Sequence, residues 1–499
     1  MFLQLRPPPL APAEAPAPRR GSRLGRFWRS LGPGLITGAS DDDPSGIATY
    51  SQAGAAFGLA TLWTALLTFP LMAAMQEMCA RIGLVTQRGL AGTLRQHYPR
   101  WVLYGLLGFT FPAIVLNIGA DLQGMGAVMH LLVPAVPTLA FSVLFTGLLL
   151  LAIVFYPYQR LVGILKWLCA VLLLYLVVPF LVRQDWGAVA RHTFWPSVQL
   201  NRPFAALLVA IVFYPYQRLV GILKWLCAVL LLYLVVPFLV RQDWAAVARH
   251  TLWPTFQLNK PFAAILVAIL GTTISPYLFF WQAEMEAEEM RHLSTAGGHG
   301  HRIVVDKPRL RTMQTDVSVG MFVSNLIMFF IILTTGVVLF PAGIRQIDTV
   351  EQAAQALRPL AGEAAYLLFA AGVVGTGLLA IPVLAGALAY AMAQTFRWRG
   401  GLDRRLRQAP AFYATIFASL GVGVLLDTLG ISPIQALLYT AILYGLTAPV
   451  MIVLVLHLAN NKAVMGEFTN GRVSNMLGLL TLVLMSAAAG LLLYFQFVA

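Results

Sequence analysis

Charge is what this chain has least of. Only 11% of its 499 residues are Asp, Glu, Lys or Arg, while 59% are hydrophobic. A soluble domain of this size needs far more polar surface, so a polytopic membrane protein is implied. Cysteine is nearly absent as well. Cys79, Cys169 and Cys227 each lie in an apolar stretch, and their spacing suits neither a disulfide framework nor a zinc site. They read as small core residues. Acidic residues are outnumbered, 20 against 34 Lys plus Arg, for a net charge of +14. That excess does not call for nucleic acid. The basic residues sit mainly in short loops between apolar runs, where the positive-inside rule and anionic lipid account for them. The first 30 residues lack the apolar run of a signal peptide, and no soluble signalling domain follows.

Two parts are expected. Residues 1–30, rich in Pro, Ala and Arg, read as a disordered basic arm on the cytoplasmic side; residues 31–499 read as one transmembrane domain. Within the first apolar segment, about residues 31–57, three acids stand in a row: Asp41, Asp42 and Asp43. One carboxylate at the centre of a spanning helix costs roughly 2.5–3.5 kcal/mol on insertion scales. Three cannot face lipid. Pro44 removes an N–H and Gly46 frees the backbone, so the helix is expected to break here. A break at membrane depth is tolerated only where it is buried in protein or lines a cavity. Freed carbonyls beside a carboxylate are cation ligands. A second interruption, Gly271-Thr272-Thr273-Ile274-Ser275-Pro276-Tyr277, falls inside the span at about 262–290. Two interrupted helices, one in each half of the chain, point to a transporter site.

Other spans are expected at about 62–85, 102–132, 139–156, 317–340, 364–393, 411–426, 434–458 and 476–498. A near-identical repeat complicates the count: residues 152–211 return at 210–269. Across 154–204 the differences are Gly187 against Ala245, Phe194 against Leu252, Ser197 against Thr255, Val198 against Phe256, and Arg202 against Lys260. Each copy holds one full span, Val162–Val182 or Val220–Val240. Counting one copy gives eleven spans, with a cytoplasmic N-terminus and an external C-terminus. Glu77 in the second span and Asp121 in the third, beside Asn117 and Gln123, are candidate path-lining groups. Glu284, Glu286, Glu288 and Glu289 are expected to form a solvated cytoplasmic face. His292, His299 and His301 flank Gly297-Gly298 and read as a flexible loop rather than a metal site. Residues 348–357 read as a short amphipathic helix on the outer face, with a capping box at Thr349 and Gln352.

From Gly32 onward the chain resembles the NRAMP family of divalent-metal transporters. The resemblance rests on Gly32-Pro33-Gly34, on Asp43-Pro44-Ser45-Gly46, and on Ala80-Arg81-Ile82-Gly83-Leu84-Val85-Thr86. Ala120-Asp121-Leu122 and Gly271-Thr272-Thr273-Ile274-Ser275-Pro276 extend it. The resemblance implies an all-α, LeuT-like fold of two inverted five-helix repeats plus an eleventh helix. The ion then sits between broken helices 1 and 6. It implies Asp43, Gly46, Thr272 (through its carbonyl) and Ser275 as the metal positions. Asp41, Asp42, Glu77, Asp121 and Tyr277 form the path or outer shell, and Pro44 and Pro276 break the helices.

The departures from the family pattern bear on the ion. The usual Asp-Pro-Gly-Asn reads Asp43-Pro44-Ser45-Gly46 here, so the ligand Asn is gone. The usual Met-Pro-His reads Ser275-Pro276-Tyr277, which removes a thioether and an imidazole. Gly124 stands where a Glu is expected. Thioether suits transition metals, whereas carboxylate, carbonyl, hydroxyl and water suit Mg²⁺. Mg²⁺ dehydrates reluctantly and keeps several waters. The pattern resembles the magnesium-transporting branch related to the family, and loss of His and Glu argues for uniport. The expected cargo is Mg²⁺ or Mn²⁺, with no separate cofactor. The expected setting is a bacterial inner membrane with anionic lipid at the basic loops; a monomer suffices and nucleic acid plays no part. The competing readings are a proton-coupled Mn²⁺/Fe²⁺ symporter, a non-transporting metal sensor and an inactive duplicated copy. An intramembrane aspartyl protease would need Asp43 and Asp121 to share a site; no partner motif supports it, and no enzyme is expected.

Overall fold

A computed structural model describes residues 32–155, 242–296, 305–358, 365–426 and 432–497, together with 233, 236, 237 and 240. The basic arm, the Val162–Val182 span, Cys169, Cys227, His299, His301 and the His292 side chain lie outside the described residues.

The chain is helical throughout the described residues. The first interrupted helix is α1 (Pro33–Asp41) and α2 (Pro44–Phe57). A 3₁₀ turn and a 109° bend lead to α3 (Trp63–Thr86). Then come α4 (Leu90–His97), α5 (Arg100–Leu132), α6 (Thr138–Phe155) and α7 (Trp244–Leu252). The second interrupted helix is α8 (Lys260–Thr273) and α9 (Pro276–Ala296). The remainder are α10 (Lys307–Val338), α11 (Val350–Ala354), α12 (Ala365–Phe396), α13 (Pro410–Leu426), α14 (Pro433–Asn460), α15 (Lys462–Met465) and α16 (Arg472–Phe497). Ten of the eleven expected spans therefore coincide with helices. Six of these, of 26 to 33 residues, are individually long and apolar enough to cross a bilayer; at 1.5 Å per residue even the shortest exceeds the roughly 30 Å core. The expected outer helix forms at α11, capped by Thr349 and Gln352 in reciprocal bonds.

The packing shows the inverted repeat. If spans six to ten repeat spans one to five, a contact between the first and seventh must return as one between the sixth and second. Both occur: α1 and α2 lie along α10, and α9 lies along α3. The third and eighth spans, α5 and α12, also pack closely together.

Small residues allow the interrupted helices to approach their neighbours. A Cβ on Gly38 of α1 would lie 2.3 Å from the Gly320 carbonyl oxygen of α10. A Cβ on Gly271 of α8 would lie 2.2 Å from the Ala441 carbonyl oxygen of α14. Without a hydrophobic drive between helices in lipid, such close contact is what holds them. The start of α1 is fixed by charge as well. The Asp316 carboxylate accepts from the backbone N–H of Gly32 (2.7 Å), Gly34 (2.7 Å) and Leu35 (3.2 Å). A carboxylate there satisfies donors that have no partner within the helix and complements its dipole.

The second copy of the repeat enters the bundle. Tyr233 and Val236 are buried, and the Thr334 hydroxyl of α10 donates to the Tyr233 carbonyl at 2.7 Å. The same copy continues through α7 into α8.

Candidate metal site between the interrupted helices

Both breaks arise from local rules. Asp43 caps α2, accepting from the Gly46 N–H at 2.8 Å, and Pro44 occupies the first helical position. There its missing N–H costs nothing. Between α1 and α2 the chain leaves the helical conformation only at Asp42 (φ −83°, ψ 50°) and Asp43, which is extended (φ −70°, ψ 171°). At the second break α8 ends at Thr273 and α9 restarts at Pro276. The Ser275 hydroxyl folds back onto the freed carbonyls, 2.5 Å from Thr272 O and 3.0 Å from Gly271 O. Its single proton serves that end, so its lone pairs face the other way. The Tyr277 hydroxyl donates to the Ser40 carbonyl at 2.9 Å, tying the end of α1 to the start of α9.

The breaks face each other. The Ser45 hydroxyl donates to Asp43 Oδ1 at 2.6 Å and lies 3.5 Å from Thr272 Oγ1. Gly46 lets the breaks close on each other: a Cβ there would meet Asp41 O at 3.2 Å, the Tyr50 ring at 3.3 Å and Thr272 Oγ1 at 3.5 Å, tighter than ordinary contact at the first two. From α5, Asn117 Nδ2 reaches Asp43 Oδ2 (3.0 Å) and Asp121 Oδ2 (3.3 Å). An amide thus bridges the two carboxylates and orients Asp43. From α10, the Ser324 hydroxyl lies 2.8 Å from Asp41 Oδ2 and 3.4 Å from Asp42 Oδ1. One proton cannot serve both.

Asp41, Asp42, Asp43, Asp121, Thr272 and Ser275 are all at most 2% exposed. The site is closed to both sides, and helices must separate to admit anything. Among the described residues, Asp41 Oδ1, Asp42 Oδ2, Asp121 Oδ1 and Asn117 Oδ1 have no hydrogen-bond partner. Among the described residues no cationic side chain pairs with these acids: the ion pairs there are Arg81–Glu77 and Arg291–Glu284. Uncompensated buried carboxylates are costly, and a cluster of them calls for a positive counter-charge, a proton or a metal ion. Among the described residues no three His, Cys, Asp or Glu side chains converge as a protein-only metal cage. The donor set is carboxylate, hydroxyl and carbonyl, which leaves room for water on the ion.

Most of the expected positions meet here, but Glu77 does not. It lies on α3 with its oxygens on Arg81 (3.1 Å) and Gln314 (3.2 Å), in a packing role. The glutamates of α9 correct the expectation of a solvated face. Glu284, Glu286 and Glu288 are buried, and of the four only Glu289 is exposed. The cause is packing of α9 against α3 and α12, which supplies polar partners. Tyr390 OH donates to Glu288 at 2.6 Å, Gln282 Nε2 to Glu286 at 3.0 Å, and Arg291 and Gln394 both reach Glu284. Asn117 and Ser324 were absent from the expected site. Asn117 had a signal, one turn before Asp121 on a single helix face. Ser324 had none, being an ordinary serine in an apolar span.

An all-helical bundle with two interrupted helices meeting over buried acids defines a polytopic membrane protein of the broken-helix kind. The sequence model of the Nramp family, "Natural resistance-associated macrophage protein-like", matches residues 34–212 and 202–495. The chain belongs to that family. Each matched piece contains one copy of the repeat. Among relatives, the divalent metal cation transporter MntH of Caldanaerobacter subterraneus subsp. tengcongensis is 22% identical over 480 residues, 95% of this chain and 94% of its own length. MntH of Verminephrobacter eiseniae is 25% identical, over 91% of this chain and 85% of its own. In fold, the chain is similar to the crystal structure of the Eremococcus coleocola manganese transporter, with a TM-score of 0.61 at 18% identity, covering 95% of this chain and 88% of that one.

Proposed function

We propose that the protein imports divalent metal cations by alternating access, with Mg²⁺ the first cargo and Mn²⁺ the second. The ion is held at Asp43, Gly46, Thr272 and Ser275, with Asp41, Asp42 and Asp121 acting through water. The observation that carries this reading is a closed cluster of buried carboxylates whose oxygens, among the described residues, include free ones and meet no cationic partner. Relatives named as divalent metal cation transporters support it. The lack of a thioether or imidazole donor at Ser275 and Tyr277 favours a hard ion that keeps its waters. Proton coupling loses its family carriers at Tyr277 and Gly124, which favours uniport driven by the membrane potential. Two charges crossing 100 mV gain about 4.6 kcal/mol, twice the single-charge value. In liposomes, an inside-negative potential is expected to accelerate Mg²⁺ influx at constant internal pH. Influx indifferent to potential contradicts uniport. The basic ends of the helices support an N-terminus on the cytoplasmic side of a bacterial inner membrane.

The second copy of the repeat supplies the fifth helix in this reading, which the burial of its Tyr233 and Val236 and the bond from Thr334 to the Tyr233 carbonyl support. Deleting residues 154–211 is then expected to leave uptake within about twofold of the full chain, since Val212 onward restores the sequence that follows Ile153. Uptake abolished in a folded deletion protein would assign the first copy an essential place.

A further inference from the structure

The only two non-glycine residues with positive φ among the described residues are Gln87 (φ 55°) and Arg397 (φ 61°). Both follow the last turn of a helix, α3 and α12, where glycine is the usual occupant of the left-handed conformation. They lie 310 positions apart in sequence, yet they line the same cavity, of about 510 Å³, with Arg88, Arg95, Arg291 and Trp398. The cavity is set between the ends of α3, α9 and α12 and the short α4, at the basic end of the bundle and away from the carboxylate cluster. Two side chains are thus kept at a conformational disadvantage at one place, which is how strain marks a functional site.

The wall of the cavity is built, not incidental. Gln394 accepts from the Gly92 N–H at 2.7 Å through its side chain and from Arg95 Nη1 at 2.8 Å through its carbonyl. Arg291 is paired with Glu284 at 2.5 Å. Arg88 and Arg397 have no ion-pair partner among the described residues and are exposed to the cavity mouth. Four guanidiniums therefore stand against two buried carboxylates, Glu284 and Glu288 beside Arg291, leaving net positive charge in a concave space. Guanidinium forks match the oxygens of phosphate, and an oxygen-rich anion with more than one charge fits such a lining.

We infer that this cavity binds a phosphate-bearing anion, gripped by Arg88 and Arg397 and bounded by Arg95 and Arg291. The inference is independent of the ion carried, because it concerns a different place and is read by binding. The anion has two possible sources, a soluble phosphate compound or a lipid headgroup. The full chain in detergent is titrated with inorganic pyrophosphate by calorimetry, and bound lipid is read by native mass spectrometry from nanodiscs containing phosphatidylglycerol. Arg397→Gly removes one fork and relieves the left-handed strain. It is expected to keep or raise the apparent Tm while weakening anion binding at least tenfold. Arg88→Gln provides a second variant that leaves the helix end unchanged. Pyrophosphate binding lost in both variants supports a soluble anion. Retention of phosphatidylglycerol by the unaltered protein, lost in both variants without pyrophosphate binding, supports the headgroup. Binding of neither, or binding unchanged in the variants, overturns the inference.

Discussion

Asp43→Asn is expected to lower divalent-cation uptake at least ~100-fold while leaving the bundle folded. A hundredfold corresponds to about 2.7 kcal/mol. A divalent ion 4 Å from one carboxylate gains about 8 kcal/mol at an effective dielectric of 20, twice the single-charge value, so a third of that suffices. The fold survives for a separate reason. Asparagine is as good an N-cap as aspartate, so its oxygen can still accept from the Gly46 N–H. Asn117 can turn its amide to present Oδ1, which has no partner in the native arrangement, to the new side-chain amide. Uptake is measured in liposomes and the fold by apparent Tm. A folded protein with undiminished uptake would remove Asp43 from the site.

The second large effect concerns which ion is preferred. Gly46→Asn combined with Ser275→Met is expected to move the ratio of Mn²⁺ to Mg²⁺ uptake at least ~10-fold toward Mn²⁺. A thioether is a soft ligand, and hard Mg²⁺ gains little from it. A side chain at position 46 enters a crowded place, where even Cβ lies 3.2–3.5 Å from Asp41 O, Tyr50 and Thr272. Water that Mg²⁺ retains is thereby displaced. Overpacking a buried position costs typically 1–3 kcal/mol, so the apparent Tm is followed in parallel. Competition between the two ions in one uptake assay gives the ratio directly. A ratio unchanged in a stable variant would mean that ligand softness at 275 and space at 46 do not set selectivity.

The breaks were legible in the sequence because each rests on a local rule. Proline fixes where α2 and α9 begin, and Asp43 is the only cap that Pro44 and Gly46 leave available. The pairing of the two breaks followed from their placement in two halves of an apolar chain. What the sequence could not show was which polar side chains turn inward. Glu284, Glu286 and Glu288 read as a wet surface because four acids near a helix end usually are one. Tyr390 and Gln394, more than a hundred residues away, give them a buried place. Ser324 escaped notice for the same reason. Its value lies in standing beside Asp41 and Asp42, which depends on α10 packing against α1 across glycines. Glu77 shows the converse: an acid in an apolar span reads equally as path lining or packing, and the structure sets it against an arginine four residues on, away from the interrupted helices.

The most direct test compares Mg²⁺ and Mn²⁺ influx into liposomes holding the purified protein, with a pH dye inside. A hard, hydrated, uncoupled site predicts Mg²⁺ entry with no internal acidification. Mn²⁺ entry with acidification, and no Mg²⁺ entry, would contradict it.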